Sequence, residues 1–98
     1  MTAKVEVYTS AKCHYCDQAK RLLADKKIPF ENLDISSDDQ HGRDLISRLP
    51  RVRSLPQIFV NGAHIGGYED LEILSKTGKL DAILAATGND ESREPAPR

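Results

Sequence analysis

The chain has no tryptophan, one methionine, two phenylalanines and three tyrosines, and only two of its 98 residues are cysteine. Two cysteines cannot make the multiply stapled framework of small secreted domains. None is needed, because one domain of this length removes about 60–70% of its unfolded surface from water. No stretch approaches the ~20 consecutive apolar residues of a membrane-spanning helix. An excess of charge is missing too: 14 Lys and Arg against 15 Asp and Glu leave a net charge of −1. That balance argues against nucleic acid or a membrane surface as a partner. Met1-Thr2-Ala3-Lys4-Val5 leads directly into a strand pattern instead of a signal peptide, so the expected compartment is the cytosol. In a reducing compartment, a close pair of cysteines is more often catalytic or metal-binding than structural.

What is present alternates between strand and helix patterns. Val5-Glu6-Val7-Tyr8 has the period of two and the β-branched and aromatic residues of a strand, ending at the turn-prone Thr9-Ser10. Tyr15, Ala19, Leu22 and Leu23 then fall on one helical stripe, which ends near Lys26-Lys27, with Pro29 blocking continuation. Phe30 to Ile35 reads as a second strand. Ser37-Asp38-Asp39 caps a helix through Leu45, Ile46 and Leu49 that stops before Pro50. The charged run from Asp38 to Asp44 is its solvated face. Gln57-Ile58-Phe59-Val60 and Ala63-His64-Ile65 flank Asn61-Gly62, which suits a type I′ hairpin. Leu71 and Leu74 mark a short helix ending at Gly78, and Leu80, Ile83 and Leu84 mark a last one. Beyond Gly88 the apolar period stops, so residues 1–87 form the expected domain and 88–98 a disordered tail. The order predicts an α/β fold: a small mixed sheet of four strands flanked by helices, its first two strands parallel through a right-handed crossover.

The two cysteines lie in Cys13-His14-Tyr15-Cys16, where the first strand gives way to the first helix. A spacing of three puts both sulfurs on one helix face, one turn apart. Taken alone this is a redox pair, half of a zinc site completed by His14, His41 or His64, or two structural cysteines. Structural zinc wants four ligands, usually as paired knuckles, and those histidines are scattered along the chain. A helix N-terminus favours an anion through its unpaired N–H groups and its dipole, and a thiolate is such an anion. Ionised thiols in Cys-x-x-Cys pairs have pKa values of roughly 3.5–7.5, against about 8.5 for a free thiol. Lys12, and His14 when protonated, add cations beside Cys13. On this reading Cys13 is the attacking thiolate, and Cys16, deeper in the helix, is the resolving thiol.

Together with Ser54-Leu55-Pro56-Gln57-Ile58-Phe59-Val60, Asn61-Gly62 and His64-Ile65-Gly66-Gly67-Tyr68-Glu69-Asp70-Leu71, this motif resembles the dithiol glutaredoxins from about Lys4 to Ala86. The resemblance implies a thioredoxin fold and glutathione-dependent thiol–disulfide exchange. It implies reduction of protein disulfides and of mixed disulfides with glutathione by a monomer, with no metal required. Pro56 would be a cis-proline facing the cysteines, leaving the backbone of Leu55 to pair with the extended tripeptide. Gly66 and Gly67 would permit close backbone approach, and the helix start near Tyr68 and Glu69 would offer its N–H groups to the γ-glutamyl carboxylate. Tyr15 would line the groove, and Lys12, Arg53 and Ser54 would approach the glycyl carboxylate.

Two positions depart from the family pattern. His14 stands where the family commonly has proline, and Ser10 where it commonly has lysine. Exchanging proline for His14 restores an N–H and adds a titratable cation, which should stabilise the Cys13 thiolate and make the disulfide more oxidising. A looser helix start also leaves open an alternative, in which two chains hold an iron–sulfur cluster through Cys13 and glutathione.

Overall fold

A computed structural model of the chain describes residues 3–90. The elements are β1 (Val5–Thr9), α1 (His14–Asp25), β2 (Glu31–Asp34), α2 (Asp39–Arg48), β3 (Gln57–Val60), β4 (Ala63–Gly66), α3 (Tyr68–Thr77) and α4 (Lys79–Asp90). The sheet runs β2-β1-β3-β4, with β1 parallel to β2 and the other pairs antiparallel. The last helix carries Gly88, Asn89 and Asp90, three residues of the expected tail. The rest of that segment lies outside the described residues.

Strand alternation splits the interior in two. Val5 and Val7 of β1 and Ile58 and Val60 of β3 face one side, where Ala19 and Leu23 of α1, Leu71 of α3 and Leu80 of α4 cover them. Tyr8 and Phe59 face the other side and pack against Leu33 and Leu45, the latter from α2. A strand covered on both faces buries every residue, and β1 does so, Glu6 included. That glutamate is 6% exposed and accepts two hydrogen bonds from the Arg48 guanidinium, at 3.0 and 3.3 Å. The same guanidinium lies over the Phe59 ring, 4.7 Å from its centroid. Its bonds to Glu6 hold Arg48 protonated to still higher pH than usual, while burial raises the Tyr8 phenol.

The local signals decide most boundaries. Asp38 caps α2 by accepting the Gln40 N–H at 2.9 Å. Asn61 and Gly62 both have positive φ, 49° and 85°, as a type I′ turn requires. Two positions differ from expectation. The second strand stops at Asp34 because that carboxylate accepts the Ser36 N–H at 2.8 Å and turns the chain. On α1 the buried stripe is Cys16, Ala19 and Leu23, and Tyr15, which the apolar spacing placed at its head, is 56% exposed.

Removing Arg48 takes both guanidinium hydrogen bonds from the buried Glu6 carboxylate and leaves it, among the described residues, only the Lys4 ammonium, 4.0 Å away. Arg48→Met should lower unfolding free energy by about 2–4 kcal/mol in urea denaturation, and Glu6→Leu/Arg48→Met should regain much of that loss. A double variant less stable than Arg48→Met contradicts this reading.

Candidate active site at the start of the first helix

Strand β1 delivers the chain to the site at Thr9, and a short loop turns it into α1. The Ala11 N–H donates to Ser36 Oγ at 2.7 Å, and that hydroxyl donates to Asp34 Oδ1 at 2.7 Å. The Ser36 hydroxyl and N–H hold the Asp34 carboxyl below its ordinary pKa. Lys12 then takes a left-handed conformation, φ 60°, and Cys13 returns to extended backbone as the N-cap of α1.

N-caps are normally oxygen acceptors from Ser, Thr, Asp or Asn. Here the acceptor is sulfur: Cys13 Sγ takes the backbone N–H of Cys16 at 3.2 Å. The two cysteines form a disulfide with their Cα atoms 5.2 Å apart. Cys16 is fully buried and Cys13 half-buried, so an incoming sulfur meets Cys13 first. Opposite it, the Leu55 carbonyl oxygen is 3.8 Å from Cys13 Sγ, and the Leu55–Pro56 peptide bond is cis.

Two clefts of about 430 Å³ each flank the Ser54–Leu55 segment. One lies between Tyr15 and Ser54-Leu55-Pro56 on one side and Gly67-Tyr68-Glu69 on the other. The second contains Cys13, Lys12 and Arg53 above a floor of Ile35, Leu45 and Val52. The structure thus brings together every groove residue expected from sequence, divided between adjoining clefts. His14 stands apart from both. Its ring meets the Gln18 side chain one turn along α1 and the edge of Tyr15, 5.5 Å between centroids.

The wall opposite Leu55 is a helix start made for close approach. Gly67 N-caps α3 without a side chain, so among the described residues no side chain takes the N–H groups of Tyr68 or Glu69. Asp70 reaches back to accept the Gly67 N–H at 3.1 Å. At Gly66, φ is +129° and an added Cβ would overlap the Asp70 carboxylate, so glycine is required there. Tyr68 stacks on Tyr15 with centroids 6.0 Å apart.

Sequence reasoning missed three residues that line the first cleft: Gln57, His64 and Asp70. Asp70 was detectable, because an acid three residues after a helix N-cap is the reciprocal half of a capping box. Gly66, which also lines this cleft, was read with Gly67 as a pair that permits close backbone approach. Gln57 and His64 carry no local signal.

The Asp34 bonds support the loop before Cys13 and depend on its charge. Because its folded pKa is lowered, its stabilising contribution is present above the unfolded value of about 4 and disappears as pH falls through the folded one. Wild type should therefore exceed Asp34→Asn in thermal stability at pH 7, with the gap closing below about pH 4. A gap independent of pH contradicts the assignment.

A sequence model of the glutaredoxin family matches residues 5–65. Glutaredoxin 3 of Escherichia coli is 42% identical over 82 residues, which cover 84% of this chain and 98% of that protein. A probable glutaredoxin of Synechocystis is 39% identical over 84 residues, covering 86% and 96%. Among solved structures, a glutaredoxin from Brucella melitensis superposes with a TM-score of 0.72 at 39% identity, covering 89% of this chain and 92% of that one.

Proposed function

Because this chain belongs to the glutaredoxin family, with its two cysteines paired at the start of α1, we propose that it reduces disulfides at the expense of glutathione. The observation that carries the proposal is the sulfur N-cap: an N–H already aimed at Cys13 Sγ, beside a cleft whose wall is free backbone. An N–H donated to an ionised sulfur is a charge-assisted bond, stronger than the same bond to a neutral one. The helix start therefore favours the nucleophilic form of Cys13.

In the monothiol reaction the Cys13 thiolate attacks the glutathione sulfur of a target–glutathione disulfide. The target sulfur leaves as a thiolate and takes a proton from water, and Cys13 now bears glutathione. A second glutathione thiolate attacks that glutathione's sulfur, forming oxidised glutathione and releasing the Cys13 thiolate. For a protein disulfide, Cys13 attacks one sulfur and Cys16 then attacks Cys13, closing Cys13–Cys16 while the target leaves with two thiols. Two glutathiones reopen the pair. The buried position of Cys16, one turn inside the helix, suits it to that second step only.

The bound tripeptide would lie across Cys13. Its cysteinyl backbone pairs with Leu55, its γ-glutamyl carboxylate takes the N–H groups of Tyr68 and Glu69, and its glycyl carboxylate lies toward Lys12 and Arg53. These last two side chains are exposed and have no ion-pair partner among the described residues, so their charge is available.

Cys13→Ser should lower reduction of a glutathionylated substrate by about 100-fold or more in a glutathione-coupled assay. Cys16→Ser should keep that activity and lose reduction of protein disulfides. Full activity in Cys13→Ser contradicts the mechanism. His14 leaves the backbone N–H at the first helical position in place and tunes the same thiolate. In reduced Cys16→Ser protein, His14→Pro should raise the Cys13 pKa read by thiolate ultraviolet absorbance, and a fall contradicts that role.

A further inference from the structure

Gln57 is the first residue of β3, directly after the cis-proline, and is 9% exposed. Its amide nitrogen donates to the Ser54 carbonyl oxygen at 2.9 Å and lies 3.4 Å from Ser54 Oγ. Its amide oxygen is 2.7 Å from Nε2 of His64 on β4. A carbonyl oxygen can only accept, so the Ser54 bond fixes which way the amide points. The amide oxygen must then face His64, and His64 must carry its proton on Nε2. The result is a directed chain, His64 to Gln57 to Ser54, from the edge strand to the loop opposite Cys13.

We infer that Gln57 and His64 are positioning residues that lock the Ser54–Leu55 backbone in the conformation that receives the tripeptide. Both polar ends of Gln57 are engaged, so it acts through Ser54 and not by holding the ligand itself. The Leu55 side chain packs against the Tyr8, Leu33, Leu45 and Phe59 cluster, which leaves the conformation of the backbone beside it to be fixed by other contacts. Leu55 is half-buried, sits between two open clefts and precedes the proline, which donates no N–H. The backbone that would form the short β-like contact is thus held from behind, by a side chain reaching back three residues. The inference deepens the glutathione reading and rests on it.

The test uses the full chain, a glutathionylated peptide and glutathione. In Gln57→Met and in His64→Leu, KM for the peptide should rise ~3- to 10-fold, with kcat within about twofold of wild type. His64→Gln, whose amide can again donate to Gln57, should restore the wild-type KM. Gln57→Met/His64→Leu should be no worse than Gln57→Met, since both break one chain. In the free protein, ¹⁵N order parameters at Ser54 and Leu55 should fall in the two disruptive variants and recover in His64→Gln. Unchanged KM, unchanged order parameters, or an additive double variant overturns the inference. If wild type has no preference for the glutathionylated peptide over the same peptide in a disulfide without glutathione, the glutathione reading fails instead. The order parameters still decide whether the chain holds the loop.

Discussion

The proposed chemistry depends on one hydrogen bond, from the Cys16 backbone N–H to the sulfur of Cys13. It is the cap that starts α1, and in the proposed mechanism it is also the contact that favours an anionic sulfur, so that folding the helix would activate the cysteine. Everything that fixes this junction therefore bears on reactivity. The sheet sets where β1 ends, the Asp34–Ser36–Ala11 bonds fix the loop, and the buried stripe Cys16, Ala19 and Leu23 seats the helix. Packing of Leu23 against Val7 and Ile58 is remote from sulfur chemistry, yet it holds the N–H in place.

The proposed binding face is mostly backbone. Leu55 offers its main chain, Gly67 leaves a helix start bare, and Gly66 makes room for the Asp70 cap. A surface of this kind recognises an extended peptide by its amides and carboxylates. In the proposed function, specificity would then fall to the flanking side chains: Tyr15 stacked on Tyr68 at one side, and at the other the cations Lys12 and Arg53, which have no ion-pair partner among the described residues.

Much of this was legible in the sequence because the signals are local. Asp38 before α2, Asn61-Gly62 between strands and Gly78 after α3 each impose a backbone conformation on their immediate neighbours, and the structure follows them. The end of α1 near Lys26-Lys27 was legible as well, but not the way the chain closes it. Lys27 occupies the left-handed position usually given to glycine, φ 59°, and the reversal closes with Ile28 N–H on Leu23 O and Lys27 N–H on Ala24 O. Ile28 packs in the same core as Leu23, and that tertiary contact outweighs the strain at Lys27. Glu6 and Gln57 were illegible for a different reason. Alternation assigns each to a polar face, but α2 covers Glu6 and β4 brings His64 to Gln57, and no short-range pattern specifies a partner that distant. Tyr15 shows the reverse: the apolar spacing put it on the buried stripe and the family resemblance put it in the groove, and it lies exposed beside the first cleft.

The central claim is that Cys13 and the backbone of Leu55, Tyr68 and Glu69 form one receptor for glutathione. It is tested most directly by trapping Cys16→Ser as its mixed disulfide with isotope-labelled glutathione and measuring intermolecular nuclear Overhauser effects. The account predicts contacts from the cysteinyl residue to Leu55 and from the γ-glutamyl residue to Tyr68 and Glu69. A tripeptide joined to Cys13 that shows no contact with these residues would contradict it.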